Sequence, residues 1–234
     1  MQLKTVIDHL RTGEFSLANL GGNDEEGVTS NNIEAIINHI NIGLVNLYTK
    51  FNLHMGEIQI QQYAQIQRYK LDKKYAQSNT ESTASPKYLI DTDDEPFDNN
   101  VLLVTNVYDE LGCELPINDS ACCNSVYTPS YNVVQIPCPE DENAITVIYR
   151  AGPNLLKVDS CDLEQEVPIP VQLLEALLYF IAYRFKATRP DVESIGESNN
   201  YFAKFEKVCE SILLQGLYNT PFRTNTKLET RGFV

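Results

Sequence analysis

The run Val171-Gln172-Leu173-Leu174-Glu175-Ala176-Leu177-Leu178-Tyr179-Phe180-Ile181-Ala182-Tyr183-Arg184-Phe185 decides the fold. It follows Pro168 and Pro170, and Pro170 suits the first turn of a helix. The helix read from Val171 to about Thr188 is apolar on nearly every side. A helix apolar on most sides is buried on most sides. It therefore needs neighbours, from its own chain or from other copies.

The neighbours lie at both ends of the sequence. Leu3, Val6, Ile7 and Leu10 form one apolar stripe on a short first helix that Gly13 ends. A Gly- and acid-rich loop, residues 21–27, follows. Asn31 and Glu34 stand at capping-box spacing and open a longer helix. Its apolar positions are Ile33, Ile36, Ile37, Ile40, Leu44, Leu47 and Phe51. After Arg189-Pro190 a last helix runs from about Ser198 to Leu217, with Phe202, Phe205, Val208, Cys209, Ile212 and Leu213 on one stripe.

Between these helices the rhythm changes to period two. Glu57-Ile58-Gln59-Ile60-Gln61 reads as a strand with one polar face. Val101–Tyr108 is β-rich, and Asp109-Glu110-Leu111-Gly112 is a turn that starts a hairpin. Tyr131–Ile136 and Ala144–Tyr149 read as two further strands, joined across residues 137–143. The expected fold class is α+β, with N- and C-terminal helices forming a bundle around an inserted small antiparallel β domain. The expected parts are 1–56 (helices), 57–167 (acidic β-rich insert), 168–218 (helices completing the core) and 219–234 (an extended arm).

The chain has 234 residues and a net charge of −14, from 18 basic and 32 acidic side chains. Residues 86–170 hold 3 basic and 16 acidic ones, nearly all of the excess. Such a surface repels phosphates and argues against sequence-reading DNA binding. No stretch approaches the ~20 apolar residues of a membrane span. The N-terminus lacks a signal peptide's apolar run, so the chain is expected to stay in the compartment where it is made.

Chemistry-bearing patterns are sparse. Cys113, Cys122, Cys123, Cys138, Cys161 and Cys209 match no zinc framework and read as reduced structural or incidental thiols. His9, His39 and His54 have no nucleophile or ligand cluster beside them. Asp93, Asp94 and Glu95, and again Glu140, Asp141 and Glu142, are grouped in polar loops and read as solvated charge. There is no P-loop, no Gly-x-Ser-x-Gly elbow and no His-Glu-x-x-His. No catalytic residue, metal ligand or cofactor is assigned.

Residues 219–234 differ from everything before them. Periodicity stops, and Arg223, Lys227 and Arg231 against Glu229 give a net charge of +2. Alone, this arm buries too little apolar surface to fold. It reads as a segment that orders on a partner, with Phe222 and Phe233 as anchors and the arginines facing carboxylates.

Three stretches carry a family resemblance. One is Glu175–Arg184 leading into Tyr201-Phe202-Ala203-Lys204-Phe205-Glu206. Another is the terminal Asn225-Thr226-Lys227-Leu228-Glu229-Thr230-Arg231-Gly232-Phe233-Val234. A weaker one runs from Val107-Tyr108-Asp109-Glu110 through Thr128-Pro129-Ser130-Tyr131-Asn132. With the helix, insert, helix and arm layout, the chain resembles the head-to-tail adaptors of tailed bacteriophages. These are head-completion or connector proteins and include the tail tubular protein A type.

The resemblance implies a virion structural protein, made in the host cytoplasm and resident in the neck or tail. It implies a ring, usually of twelve copies, beneath the portal protein, joining capsid to tail and continuing the DNA channel. Genomic DNA would pass without sequence recognition. Pro221, Phe222, Arg223, Lys227, Arg231 and Phe233 would dock on the portal. Leu174, Leu178, Phe180, Ile181 and Phe185 would serve the helical core and the ring. The insert would meet a tail tube or nozzle protein, although its acidity and cysteines depart from the family pattern. Two other readings stand beside this one. A neck or tail-completion protein would place the arm on a tail component. A carboxylate-based hydrolase would need Asp93, Asp94 and Glu95 in one cleft.

Overall fold

The computed structural model describes residues 1–13, 30–158, 162–188 and 192–216. Among them are four α-helices and two antiparallel sheets, an α+β fold. The chain separates into two compact units. Among the described residues, one combines 1–53 with 153–216, and the other is 54–152. No helix among the described residues is long and apolar enough to cross a membrane.

The helical unit is built from segments that precede and follow the β unit in sequence. Helix α1 (Leu3–Thr12) buries Leu3, Val6, Ile7 and Leu10, the stripe read from the sequence. Helix α2 (Ser30–Lys50) buries Ile36, Ile37, Ile40, Leu44, Leu47 and Tyr48. It begins at Ser30, so Asn31 lies inside the helix rather than before it. Pro170 precedes a single 3-10 turn (Val171–Leu173), and helix α3 (Leu174–Ala187) follows. α3 packs against α1, α2 and helix α4 (Val192–Leu214). Its apolar circumference is thereby satisfied within the chain: Ala176, Leu177, Ile181 and Ala182 have no exposed surface.

α2 and α3 approach closely at Gly43. A Cβ there would lie 2.7 Å from Leu177 Cδ1 and 3.1 Å from Phe180 Cδ1. Leu177 is fully buried and has little room to withdraw. Glycine at this position is therefore a packing requirement, held against a helix-propensity cost of about 1 kcal/mol relative to Ala.

α4 begins at Val192, about two turns before the expected Ser198. Ser194 and Ser198 are buried in its first turns. Small hydroxyl side chains on the inner face hid the apolar rhythm there. Ser198 Oγ donates to the Tyr183 carbonyl at 3.3 Å, which meets its hydrogen-bonding need.

Residues 153–167, read from the sequence as part of the insert, belong to the helical unit. The reason is a set of long-range backbone ties. Leu3 N–H donates to the Gln165 carbonyl at 2.8 Å, and Val167 N–H to the Met1 carbonyl at 2.6 Å. Asn41 Nδ2 donates to the Leu156 carbonyl and its Oδ1 accepts from Leu156 N–H.

The β unit has a five-stranded sheet in the order β3-β1-β8-β4-β5. These strands are β1 (Met55–Gln61), β3 (Leu89–Ile90), β4 (Val101–Tyr108), β5 (Glu114–Leu115) and β8 (Ala144–Ala151). Strand β8 alternates buried and half-buried residues without a break, burying Ile145, Val147, Tyr149 and Ala151. β4 and β5 form the expected hairpin, with Gly112 at φ 76° in its turn. A second sheet has the order β2-β7-β6, with β2 (Arg68–Lys70), β6 (Tyr127–Ser130) and β7 (Val133–Gln135).

Two strand expectations are corrected. The strand read over Tyr131–Ile136 starts at Val133, because Tyr131-Asn132 is the turn between β6 and β7. β7 and β8 are consecutive in sequence but lie in different sheets. Both sheets contribute to one core, in which Tyr69 and Tyr88 meet edge to face with ring centroids 5.1 Å apart. Their hydroxyls serve the backbone. Tyr69 Oη accepts from Tyr63 N–H, and Tyr88 Oη accepts from Lys70 N–H, both at 2.9 Å. Burial raises the pKa of both phenols.

Candidate functional site

Of the five residues assigned to the core and ring helix, Leu178, Phe180 and Ile181 are buried within the chain, and Leu174 and Phe185 are half-buried. Phe180 packs edge to face on Phe205 of α4, with centroids 5.2 Å apart. Lys50 Nζ sits 5.0 Å from the Phe205 centroid and 2.7 Å from Glu206 Oε1, which locks the end of α2 to α4. From Phe205 an aromatic seam leads outward through Phe202, whose ring lies 5.1 Å from that of Tyr183. Phe202 is 42% exposed, although the sequence stripe placed it in the core. Ile195, two turns earlier on the same side of α4, is 50% exposed.

The outer face of α2 was not read from the sequence at all. Ile42 and Val45 are exposed there. The available signal was the absence of any Asp, Glu, Lys or Arg from residues 35–49 in a chain of net charge −14. Burial of His39, and then the nearby Arg184 guanidinium, lower its pKa and favour the neutral ring.

The β unit carries six basic and fifteen acidic side chains, net −9. Asp93, Asp94, Glu95, Glu140, Asp141 and Glu142 are all exposed. Asp141 has a structural task, since its Oδ1 accepts from Ala64 N–H at 2.7 Å. Among the described residues, no group of three His, Cys, Asp or Glu side chains comes together as a metal site. Cys113, Cys123 and Cys138 are exposed thiols, Cys122 is half-buried and Cys209 is buried. Burial, tempered by Lys50 and reinforced by Glu206, pushes the Cys209 thiol up to about 11. Cys161 lies outside the described residues.

One carboxylate in the acidic loop is built in. Asp91 accepts from Ser78 N–H at 2.8 Å, Ser78 Oγ at 2.5 Å and Phe97 N–H at 3.0 Å. Burial opposes its ionisation. The three donors outweigh that penalty and hold the carboxyl below its ordinary range. A small cleft of about 180 Å³ between the end of β2 and the β6–β7 turn is lined by Lys70, Asp72, Asn99, Tyr131 and Asn132. Lys70 and Asp72 pair with each other there at 3.2 Å.

Pro221, Phe222, Arg223, Lys227, Arg231 and Phe233, the residues assigned to docking, lie outside the described residues. Comparison with known proteins returned no match, neither to a protein-family model nor to a curated sequence.

Proposed function

We propose that this chain is a structural coupling protein of a tailed-phage virion, a head-to-tail adaptor that forms a ring beneath the portal. The observation that carries the reading is the division of labour between the two units. A helical body made from segments on either side of the insert satisfies its most apolar helix internally. A separate acidic β unit is inserted between those segments. The body supplies a rigid ring element, and the inserted unit is free to vary with its tail-side partner. The charge distribution supports the same reading. An acidic unit beside a DNA channel gives the phosphates nothing to hold, so DNA passes without non-specific affinity. A basic terminal stretch on an acidic chain suits docking on carboxylates of a partner.

The test is docking on the portal protein of the same particle. The mass of the chain is measured with and without portal, and again after deletion of 219–234. The full chain is expected to add to the portal as a ring, and the truncated chain to keep its helical circular dichroism but lose docking. Normal docking by the truncated chain overturns the role given to Phe222, Arg223 and Phe233. Cross-links from Lys227 to a tail protein instead of portal would move the chain to a tail-completion role.

A further inference from the structure

We propose that the Arg184 guanidinium of α3 and the His39 imidazole of α2 form a binding site for a single oxyanion, a carboxylate or phosphate group. The site stands apart from the virion role and does not depend on it. Hydrogen-bond accounting points to it. Arg184 Nε and His39 Nδ1 are buried side-chain nitrogens with no hydrogen-bond partner. Buried polar atoms are nearly always paired, and an orphan marks a place for a water or an ion. Arg184 is also a half-buried cation in a chain of net charge −14. No carboxylate among the described residues pairs with it. The next cation on α3, Lys186, already has one, Glu197 Oε2 at 2.5 Å.

The register of the two helices brings these side chains together. Gly43 of α2 faces Leu177 and Phe180 of α3. His39 stands one turn before Gly43, and Arg184 one turn after Phe180. The guanidinium acts electrostatically on the imidazole, as antiparallel packing of α2 on α3 requires. Both side chains are half-buried, so the pair lies at the margin of the helical core, within reach of an ion from solvent.

The donor set narrows the ligand. A guanidinium repels cations and presents a fixed fork of N–H groups that matches the paired oxygens of a carboxylate or phosphate. Burial and the guanidinium keep His39 neutral. A neutral imidazole carries one N–H, and its Nδ1 tautomer donates to a second oxygen without taking up a proton. Water would accept from both nitrogens but leave the charge of Arg184 uncompensated. The dipole of α3 favours a basic residue in its last turn, where Arg184 lies, but it gives Nε no acceptor. A bound oxyanion meets all three needs: the Nε donor, the Nδ1 donor and the charge.

Thermal melting of the full chain tests the site. The wild-type chain is titrated with sodium phosphate, and separately with sodium acetate, with sodium chloride holding the ionic strength constant. An anion that binds only the folded state raises the melt with its concentration. Relative to Arg184→Met, the wild-type melt should climb by about 2–4 °C or more at about 50 mM of at least one anion, and the stronger response identifies the group. Lys207→Met removes an exposed cation of α4 and should keep the wild-type climb. In chloride alone, Arg184→Met should melt at or above wild type, because it removes a half-buried charge that has no partner. Nuclear magnetic resonance of the histidines gives a second readout. A bound anion offsets the field of Arg184, so the His39 pKa should rise on saturation while those of His9 and His54 stay in place. A wild-type melt no more responsive to either anion than that of Arg184→Met overturns the proposal. So does loss of the climb in Lys207→Met, a chloride-only melt of Arg184→Met well below wild type, or a His39 pKa indifferent to both anions.

Discussion

Three residues have consequences that can be measured singly. At Gly43, substitution by Ala adds helix propensity of about 1 kcal/mol but also a methyl group 2.7 Å from a fully buried Leu177 methyl. Overpacking of this kind costs about 1–3 kcal/mol. Gly43→Ala should therefore be close to neutral or mildly destabilising in urea unfolding. Gly43→Leu, with no compensating gain, should lose well over that range. Asp91 makes a pH-dependent contribution. Its folded pKa lies below the unfolded value of 3.8, so its stabilisation is complete above that pH and disappears as the pH falls through the folded value. Asp91→Asn is expected to cost about 1–3 kcal/mol at pH 7. The gap to wild type should close in denaturation curves taken at progressively lower pH below 3.8. Cys209 should stay unmodified when native protein is treated with N-ethylmaleimide at pH 7.5, while peptide mapping finds label on Cys113, Cys123 and Cys138. Burial and the raised pKa both suppress its thiolate.

At the scale of elements, the helices and long strands were legible and the short strands were not. Leu3, Val6, Ile7 and Leu10 announce α1 because one local stripe suffices when one face is buried. Ile58 and Ile60 announce β1 for the same reason with period two. β2, β3 and β5 have two or three residues each and exist because a distant partner pairs with them: Arg68 faces Gln135, and Gln59 faces Ile90. No local window contains that information. β6 was masked by Pro129, which a sequence reading takes as a strand breaker. Its place at a sheet edge leaves the missing N–H harmless. In the candidate site, the apolar run of α3 was visible, but periodicity does not say whether the same chain or another copy covers it. The structure assigns that cover to α1, α2 and α4. Phe180→Ala should therefore cost about 3–5 kcal/mol of helical-unit stability. Phe202→Ala, on a half-open side chain, should cost far less. Thermal unfolding of the two variants gives the comparison.

For the whole molecule, the join between units is the informative place. β1 and β8 are antiparallel neighbours paired from Met55↔Arg150 to Gln61↔Ala144, and Ala151 N–H donates to the His54 carbonyl at 3.0 Å. The chain thus leaves the helical unit and returns to it at adjacent points. Replacing 54–152 by a short Gly/Ser linker should leave a folded helical protein, checked by the far-ultraviolet helical signal and a cooperative melt. Loss of both would mean that the helical core depends on the inserted unit. The same pairing has a mechanical side. Tension that separates residues 54 and 151 loads the β1–β8 bonds one rung after another, like opening a zip, instead of all together in shear. If force ever reaches the molecule through that doorway, the first rung to part is the His54–Ala151 bond, and the phenol of Tyr149, cross-strand from Gly56, is among the first core groups to meet water.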